Sequence, residues 1–195
     1  MKRFLDIMLS AAGLFLFLPA FPIIAILIKI DTRGPVFFIH QRVGRNFKPF
    51  SLYKFRTMID KAQELGPQIT SGSDSRITRV GKLLRKTKLD ELPQLWNVFK
   101  GDMSFVGPRP EVSKYIEMFR DEYREILKVK PGITDYAAIE FRDEENVLKR
   151  FKNPEEGYIK EVLPTKIDLY KKYLRERGLL IDMKLIFLTL WKISK

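Results

Sequence analysis

Cysteine is absent from this 195-residue chain, and histidine occurs once, at His40. Disulfides, thiolate zinc sites, a cysteine nucleophile and histidine-rich metal centres are thereby excluded. Any nucleophile or general base has to be a carboxylate, hydroxyl, lysine or tyrosine, unless it is that one imidazole. His40 lies in a β-prone run and reads as a structural residue. No Gly-x-Gly-x-x-Gly follows a strand pattern, which speaks against a Rossmann sheet, and no internal repeat is present. Acidic residues are the minority charge, 24 against 36 basic, so the net charge is +12. That balance calls for an anionic partner: nucleic acid, a phosphorylated ligand or an acidic lipid surface. The length and a hydrophobic content of 45% suit one sizeable core and argue against disorder.

Charge is missing altogether from residues 7–28. Such a run, at about 1.5 Å per residue, is long enough for a straight helix to cross a hydrocarbon core of about 30 Å. Pro19 and Pro22 interrupt it. Each lacks an amide donor and clashes with the carbonyl four residues back, so a bend is expected there. Lys2 and Arg3 on one flank are matched by Lys29, Arg33, Arg42, Arg45 and Lys48 on the other, which favours both ends on the cytoplasmic side. The preferred reading is a re-entrant helix–break–helix confined to one leaflet. Ser10 is the one hydroxyl in the run, leaving the carbonyls freed at the break short of donors. A single-pass anchor and a cleaved signal peptide are the alternatives, the latter disfavoured because no small-x-small site follows the run.

Beyond the anchor, residues 35–58 read as a β-hairpin turning at Val43-Gly44-Arg45-Asn46. Tyr53-Lys54-Phe55-Arg56 would place Lys54 and Arg56 on one strand face, either solvated or lining an anionic pocket. Residues 60–78, with Gly66-Pro67 and Ser71-Gly72-Ser73, look like a mobile loop or lid. A helix is expected over 78–88, then another whose Leu92, Leu95, Trp96 and Phe99 make one buried face, with Pro93 in its first turn and Gly101 as terminator. Residues 111–128 suggest a surface helix. Residues 179–193 suggest an amphipathic interfacial helix, interrupted by Asp182, Lys184 and Lys192.

The chemistry concentrates between Arg85 and Pro110. Asp90 and Glu91 stand at an expected helix start with Arg85, Lys86 and Lys88 just before them. Cations there could bring a phosphate to the carboxylates, and an aspartate so placed can attack phosphorus. First-turn acidic residues are also ordinary capping choices, so the dipeptide alone leaves both readings open. Gly107-Pro108-Arg109-Pro110 is either a stiff turn or a rigid mount for a phosphate-binding guanidinium.

These residues, together with the proline-broken anchor, Gly34-Pro35-Val36-Phe37-Phe38, Gln41-Arg42-Val43-Gly44, Tyr53-Lys54-Phe55-Arg56-Thr57-Met58, Leu89-Asp90-Glu91-Leu92-Pro93-Gln94-Leu95, Lys100-Gly101-Asp102-Met103-Ser104 and Lys130-Pro131-Gly132-Ile133-Thr134, carry a resemblance. Nearly end to end, the chain resembles the bacterial sugar transferases, monotopic polyprenol-phosphate phosphoglycosyl transferases. The resemblance implies a mainly α fold with a small β-hairpin (α+β), in which an anchor at 1–33 carries a catalytic body at 34–195 with interfacial amphipathic helices. It implies transfer of a sugar 1-phosphate from a UDP-sugar to polyprenol (undecaprenyl) phosphate through a phosphoryl-aspartate at Asp90, on the cytoplasmic face of the bacterial inner membrane. Magnesium is implied, with Asp90 and Glu91 as its candidate ligands, Glu91 being alternatively a proton acceptor. Lys54, Arg85 and Arg109 would hold phosphates, and Arg142 and Asp168 would lie near nucleotide, sugar or metal. A phospholipid membrane is the expected partner surface, and a homodimer the assembly to test for. Two departures from the family pattern stand out. Leu18 replaces a serine before the helix-breaking proline, and residues 135–164, with Phe141-Arg142-Asp143-Glu144-Glu145, differ from the usual Gly-Asn-rich segment, which leaves the sugar open.

Two rivals remain at this stage: a metal-independent hydrolase using the same carboxylates, and a membrane-tethered basic nucleic-acid-binding protein suggested by the charge and the aromatic hairpin. The anchor reading is tested by labelling Met1 and Lys195. Both ends are expected to be reachable only from the cytoplasm, and a periplasmic Met1 would overturn re-entry.

Overall fold

The structure is a computed structural model that describes residues 1–66, 69–70 and 74–194, without the side chains of 193 and 194. The apolar run forms two helices, α1 (Lys2–Phe17) and α2 (Ala20–Asp31), bent by 60°. The bend falls at Leu18-Pro19, while Pro22 sits in the first turn of α2, where its missing amide deprives no carbonyl of a partner. The freed carbonyls are satisfied by the backbone: Leu18 N donates to Phe15 O (3.4 Å) and Phe21 N to Leu18 O (3.3 Å). A serine at position 18 is therefore not needed for that purpose. Ser10 instead bonds back to Asp6 O within α1 (2.6 Å). Among the described residues no single helix is long and apolar enough to cross a membrane; the bent pair together passes that test.

One face of this pair packs on the rest of the chain. Ile24 and Ile28 are buried with Phe55 and Leu84. A Cβ on Gly13 would touch Leu95 at 3.1 Å, so α1 lies close against α4 (Gln94–Lys100). Polar ties fix the start of α1: Lys2 Nζ meets Asp182 (2.5 Å) and Val106 O (2.9 Å), Arg3 donates to Val98 O and Phe99 O, and Asp6 accepts from Ser104 and Phe105 N. The other face is bare. Phe15 is 82% exposed, and Phe4, Leu16, Leu18, Ile23, Ile26 and Ile30 are also exposed.

The hairpin forms as expected, with β1 (Phe37–Val43) antiparallel to β2 (Pro49–Phe55) in a register running from Phe37↔Phe55 to Val43↔Pro49. Asn46 and Phe47 take positive φ in the connection. Lys54 and Arg56 part company. Lys54 turns toward the 89–91 turn, whereas buried Arg56 donates to Arg33 O (2.7 Å) and Thr32 O (3.1 Å) and caps the end of α2. His40 stacks near Phe38, and burial with Arg42 and Lys54 nearby lowers its pKa to about 4, so it is neutral at pH 7. Of the expected lid, Pro67 and Ser71-Gly72-Ser73 lie outside the described residues. The segment is tied down on either side of them by the Met58↔Ile77 bridge and by Arg76 Nη1 donating to Ala62 O (2.9 Å).

Next comes α3 (Arg79–Thr87), capped by Thr78 Oγ1, which accepts from Gly81 N (2.9 Å), and ended by Lys88 at φ 58°. After a one-turn helix, Leu89–Glu91, α4 ends at Gly101 with φ 103°. The expected buried face of α4 is corrected. Gln94, Leu95, Asn97 and Val98 are buried, while Trp96 and Phe99 are exposed and stacked on each other. Asn97 explains the rotation, because its side chain pairs with Ser51 O (2.7 Å) and accepts from Tyr53 N (3.1 Å), satisfying the free edge of β2.

A feature not foreseen is the parallel pair β3 (Ser104–Val106) and β4 (Gly132–Thr134). Glycine is required where they cross, since a Cβ on Gly132 would lie 2.1 Å from Gly107 N. The expected surface helix over 111–128 is two core helices, α5 (Ser113–Met118) and α6 (Arg120–Ile126), broken at Phe119. Val112, Tyr115, Ile116, Tyr123 and Leu127 are buried there with Leu148, Leu163 and Tyr170. The chain continues through α7 (Tyr136–Glu140), α8 (Glu144–Leu148), α9 (Pro154–Gly157), α10 (Leu163–Glu176) and α11 (Leu179–Ser194). Along α11, Leu180, Phe187, Leu190 and Trp191 are exposed, while Leu185 is buried and Asp182 is paired with Lys2 and Tyr173. The fold is thus mainly α with small two-stranded elements.

Candidate active site

Three structural elements converge on the carboxylate pair. The 89–91 turn supplies Asp90 and Glu91, β2 supplies Lys54, and the loop after β3 supplies Arg109. Lys88 in the left-handed conformation ends α3 and lets the chain re-enter a helical turn, which brings Asp90 inward to 7% exposure. The carboxylates therefore sit in a short linking turn rather than at the start of α4, whose N-cap is Pro93.

Glu91 is saturated with cations. Its Oε1 accepts from Lys54 Nζ (3.0 Å) and from Arg109 Nη2, and its Oε2 accepts from Arg109 Nη1 (3.2 Å), a two-pronged pairing. Burial pushes the Glu91 carboxyl up, but Arg109 and Lys54 outweigh it and hold it well below the usual range. Burial lowers Lys54 from its ordinary value, against the pull of Glu91. Asp90 differs. Burial raises its pKa, with Lys54 opposing, and its Oδ1 has no hydrogen-bond partner among the described residues. Two adjacent carboxylates are driven apart, one locked as an anion among cations and one left open.

Arg109 is mounted rigidly between Pro108 and Pro110. Its backbone N–H donates to Asp135 Oδ2 (3.2 Å), and Gly132 N donates to Pro108 O (3.0 Å). Arg85 reaches Thr57 Oγ1 (2.9 Å), Thr70 Oγ1 (3.3 Å) and Glu145 Oε1 (2.6 Å). Arg142 adjoins this region through its carbonyl, which accepts from Lys88 Nζ (3.4 Å). Asp168 lies on the exposed side of α10, whose Lys166, Ile167 and Tyr170 are buried.

Sequence reasoning passed over several supporting residues. Asp135 also caps α7 through Ala138 N (2.6 Å), Glu145 holds Arg85, and Glu111 pairs with Arg42 (3.0 Å) and accepts from Tyr158 (2.5 Å). Asp135 and Glu111 each directly follow one of the quoted motifs, and that adjacency was the available signal. Among the described residues no cluster of three or more His, Cys, Asp or Glu could hold a metal alone. The donor set fits an ion of the magnesium kind, which binds one or two carboxylates and takes its remaining ligands from water and substrate phosphates. Asp90 is the carboxylate left uncommitted for it, since both oxygens of Glu91 are engaged.

A buried carboxylate beside one held by guanidinium and ammonium groups is an arrangement suited to a phosphate-bearing substrate. The family model for bacterial sugar transferases matches residues 1–195, and the chain belongs to that family. It is 37% identical, over 97% of its length, to the UDP-N-acetylgalactosamine-undecaprenyl-phosphate N-acetylgalactosaminephosphotransferase of Aeromonas hydrophila, of which it covers 42%. It is likewise 37% identical, over 98% of its length, to the UDP-glucose:undecaprenyl-phosphate glucose-1-phosphate transferase of Escherichia coli (strain K12), of which it covers 40%. The exopolysaccharide production protein ExoY of Rhizobium meliloti (strain 1021) is 32% identical over 97% of the chain and is covered over 83% of its own length. The chain thus spans about two fifths of the first two relatives. The nucleic-acid reading gains no support from any of these likenesses.

The raised pKa of Asp90 has a stability consequence. A buried carboxyl with an elevated folded-state pKa weakens the fold when ionised, and the penalty vanishes once pH falls below the unfolded value of about 3.9. Asp90→Asn is therefore expected to raise Tm at pH 7, with the gain disappearing toward pH 4 in a pH series of thermal melts. A variant less stable than wild type at pH 7 would contradict this electrostatic description.

Proposed function

We propose that this chain transfers a sugar 1-phosphate from a UDP-sugar to polyprenol phosphate, releasing UMP and leaving a polyprenyl-diphospho-sugar. The observation that carries the reading is the asymmetry of the dyad: Glu91 is locked by Arg109 and Lys54, and Asp90 beside it is buried with its Oδ1 unpartnered. The activities for which the Aeromonas and Escherichia relatives are named support it.

In the first half-reaction the Asp90 carboxylate attacks the sugar-bearing phosphorus of the donor. A bond forms between a carboxylate oxygen and that phosphorus, the bond from the same phosphorus to the bridging oxygen breaks, and the bridging oxygen leaves with the electron pair as part of UMP. In the second, an ionised oxygen of polyprenol phosphate attacks the same phosphorus and returns the Asp90 carboxylate. The attacking groups are anions, so neither step requires a general base. Its low pKa accordingly suits Glu91 to holding Arg109 and Lys54 in place rather than to accepting a proton. Those cations, with Arg85, face the donor phosphates. Asp90 and the donor diphosphate would hold magnesium, which when bound neutralises diphosphate charge.

Residues 1–33 serve as the anchor and 34–195 as the catalytic body. The 60° bend, the bare apolar face of α1–α2 and the exposed Trp96, Phe99, Phe187 and Trp191 support a monotopic seat in one leaflet of the inner membrane, with the site on the cytoplasmic side. The lipid acceptor and the apolar face then belong to one surface.

The test is donor alone. Protein, UDP-sugar and magnesium, without acceptor, are expected to release UMP to at most one equivalent, and Asp90→Asn to abolish the release. No UMP from any of a panel of UDP-sugars, in detergent and in lipid, would overturn the reading. Continued release of free sugar phosphate without acceptor would mark the rival hydrolase.

A further inference from the structure

Pro108 and Pro110 have no backbone N–H, so Arg109 N is the one backbone donor between residues 108 and 110. Asp135 takes it. Its Oδ2 accepts from Arg109 N (3.2 Å), while its Oδ1 accepts from Ala138 N (2.6 Å) and caps α7. The residue is 0% exposed, and each of its oxygens is committed to a backbone N–H on a different segment. Gly107 N donating to Thr134 O (3.0 Å) and Gly132 N donating to Pro108 O (3.0 Å) pin the same loop to β4. From that loop the Arg109 guanidinium reaches Glu91.

An ionised carboxylate accepts on both oxygens, whereas a protonated one turns an oxygen into a donor, and one of the two N–H groups then loses its acceptor. Burial pushes Asp135 up to about 6, against the Ala138 and Arg109 N–H groups and the charges of Arg109 and Lys166. From α6 and α10, Tyr123, Tyr170 and Tyr173 also face it; burial raises all three phenols, which stay uncharged where Asp135 titrates. The change of charge in this pocket near pH 6 is therefore that of Asp135.

We propose that Asp135 is a positioning residue for the transfer, acting through Arg109: by accepting at once from Arg109 N and from the first turn of α7, its carboxylate fixes the loop that aims the Arg109 guanidinium. The inference rests on the transferase reading above and adds to it an acid limit set away from the reacting atoms. Ionised, Asp135 holds both segments. Protonated, it releases one of them, and the loop carrying Arg109 loses the single tie that its own backbone N–H makes.

Asp135→Asn and Asp135→Ser keep a capping oxygen for Ala138 N but offer Arg109 N no second acceptor. Each is compared with wild type for UMP release from a UDP-sugar, per folded protein, across a pH series. At about pH 7.5 both variants are expected to lose about tenfold in kcat/KM, and the ratio of wild type to variant to fall toward one by about pH 5, with its midpoint near pH 6. Taking the ratio at each pH cancels the titration of the nucleophile. A ratio that does not change with pH, or wild-type kcat/KM in the variants, would overturn the proposal. A second readout needs no variant: the backbone amide of Arg109, followed by NMR in labelled wild-type protein, is expected to shift with the same midpoint, and an amide that does not respond to pH would overturn the proposal as well. Failure of the transferase reading shows separately, as absence of UMP release from the wild-type protein.

Discussion

The site depends on how one carboxylate is shared. Glu91 binds Arg109 through two guanidinium nitrogens and Lys54 through a third contact, so the cations brought by β2 and by the proline-flanked loop meet on a single acceptor. This arrangement gathers positive charge beside Asp90 while leaving that carboxylate without a hydrogen bond from either cation. A phosphate entering there finds guanidinium and ammonium groups already in place and an anionic oxygen beside them, a combination that diffusing groups in water would pay heavily to assemble.

The fold holds that geometry from several sides. Asn97 binds the outer edge of β2, which fixes the strand carrying Lys54. Gly107 and Gly132 let β3 and β4 approach closely enough for Asp135 to hold the Arg109 backbone. The apolar helices join the same framework: Lys2, Arg3 and Asp6 bind α11, the end of α4 and β3, and α2 packs on Leu84 of the helix that precedes the carboxylates. The proposed membrane anchor is thus continuous with the scaffold of the site.

Much of this was legible where local chemistry dominates. The hairpin followed from β-prone runs around a glycine turn, Thr78 was a readable cap, and Gly101 a readable terminator. The faces of α4 were not. Leu92, Leu95, Trp96 and Phe99 have a buried helix's spacing, but Asn97 faces inward to pair with β2, a polar constraint that hydropathy cannot express. Trp96 and Phe99 point outward and stack on each other. The break at Phe119, the parallel β3–β4 pair and the exposure of Asp168 all depend on long-range packing. Asp90 and Glu91 were found by motif, whereas their unequal surroundings are set by Lys54 and Arg109, 36 and 19 residues from Asp90 in the chain.

The central claim is that Asp90 is covalently bonded to phosphorus during turnover. Donor and enzyme mixed without acceptor, quenched, digested and weighed by mass spectrometry should give a peptide containing Asp90 heavier by one sugar-phosphoryl group, discharged when polyprenol phosphate is added before the quench. Turnover at the normal rate with no such adduct on that peptide would contradict the account.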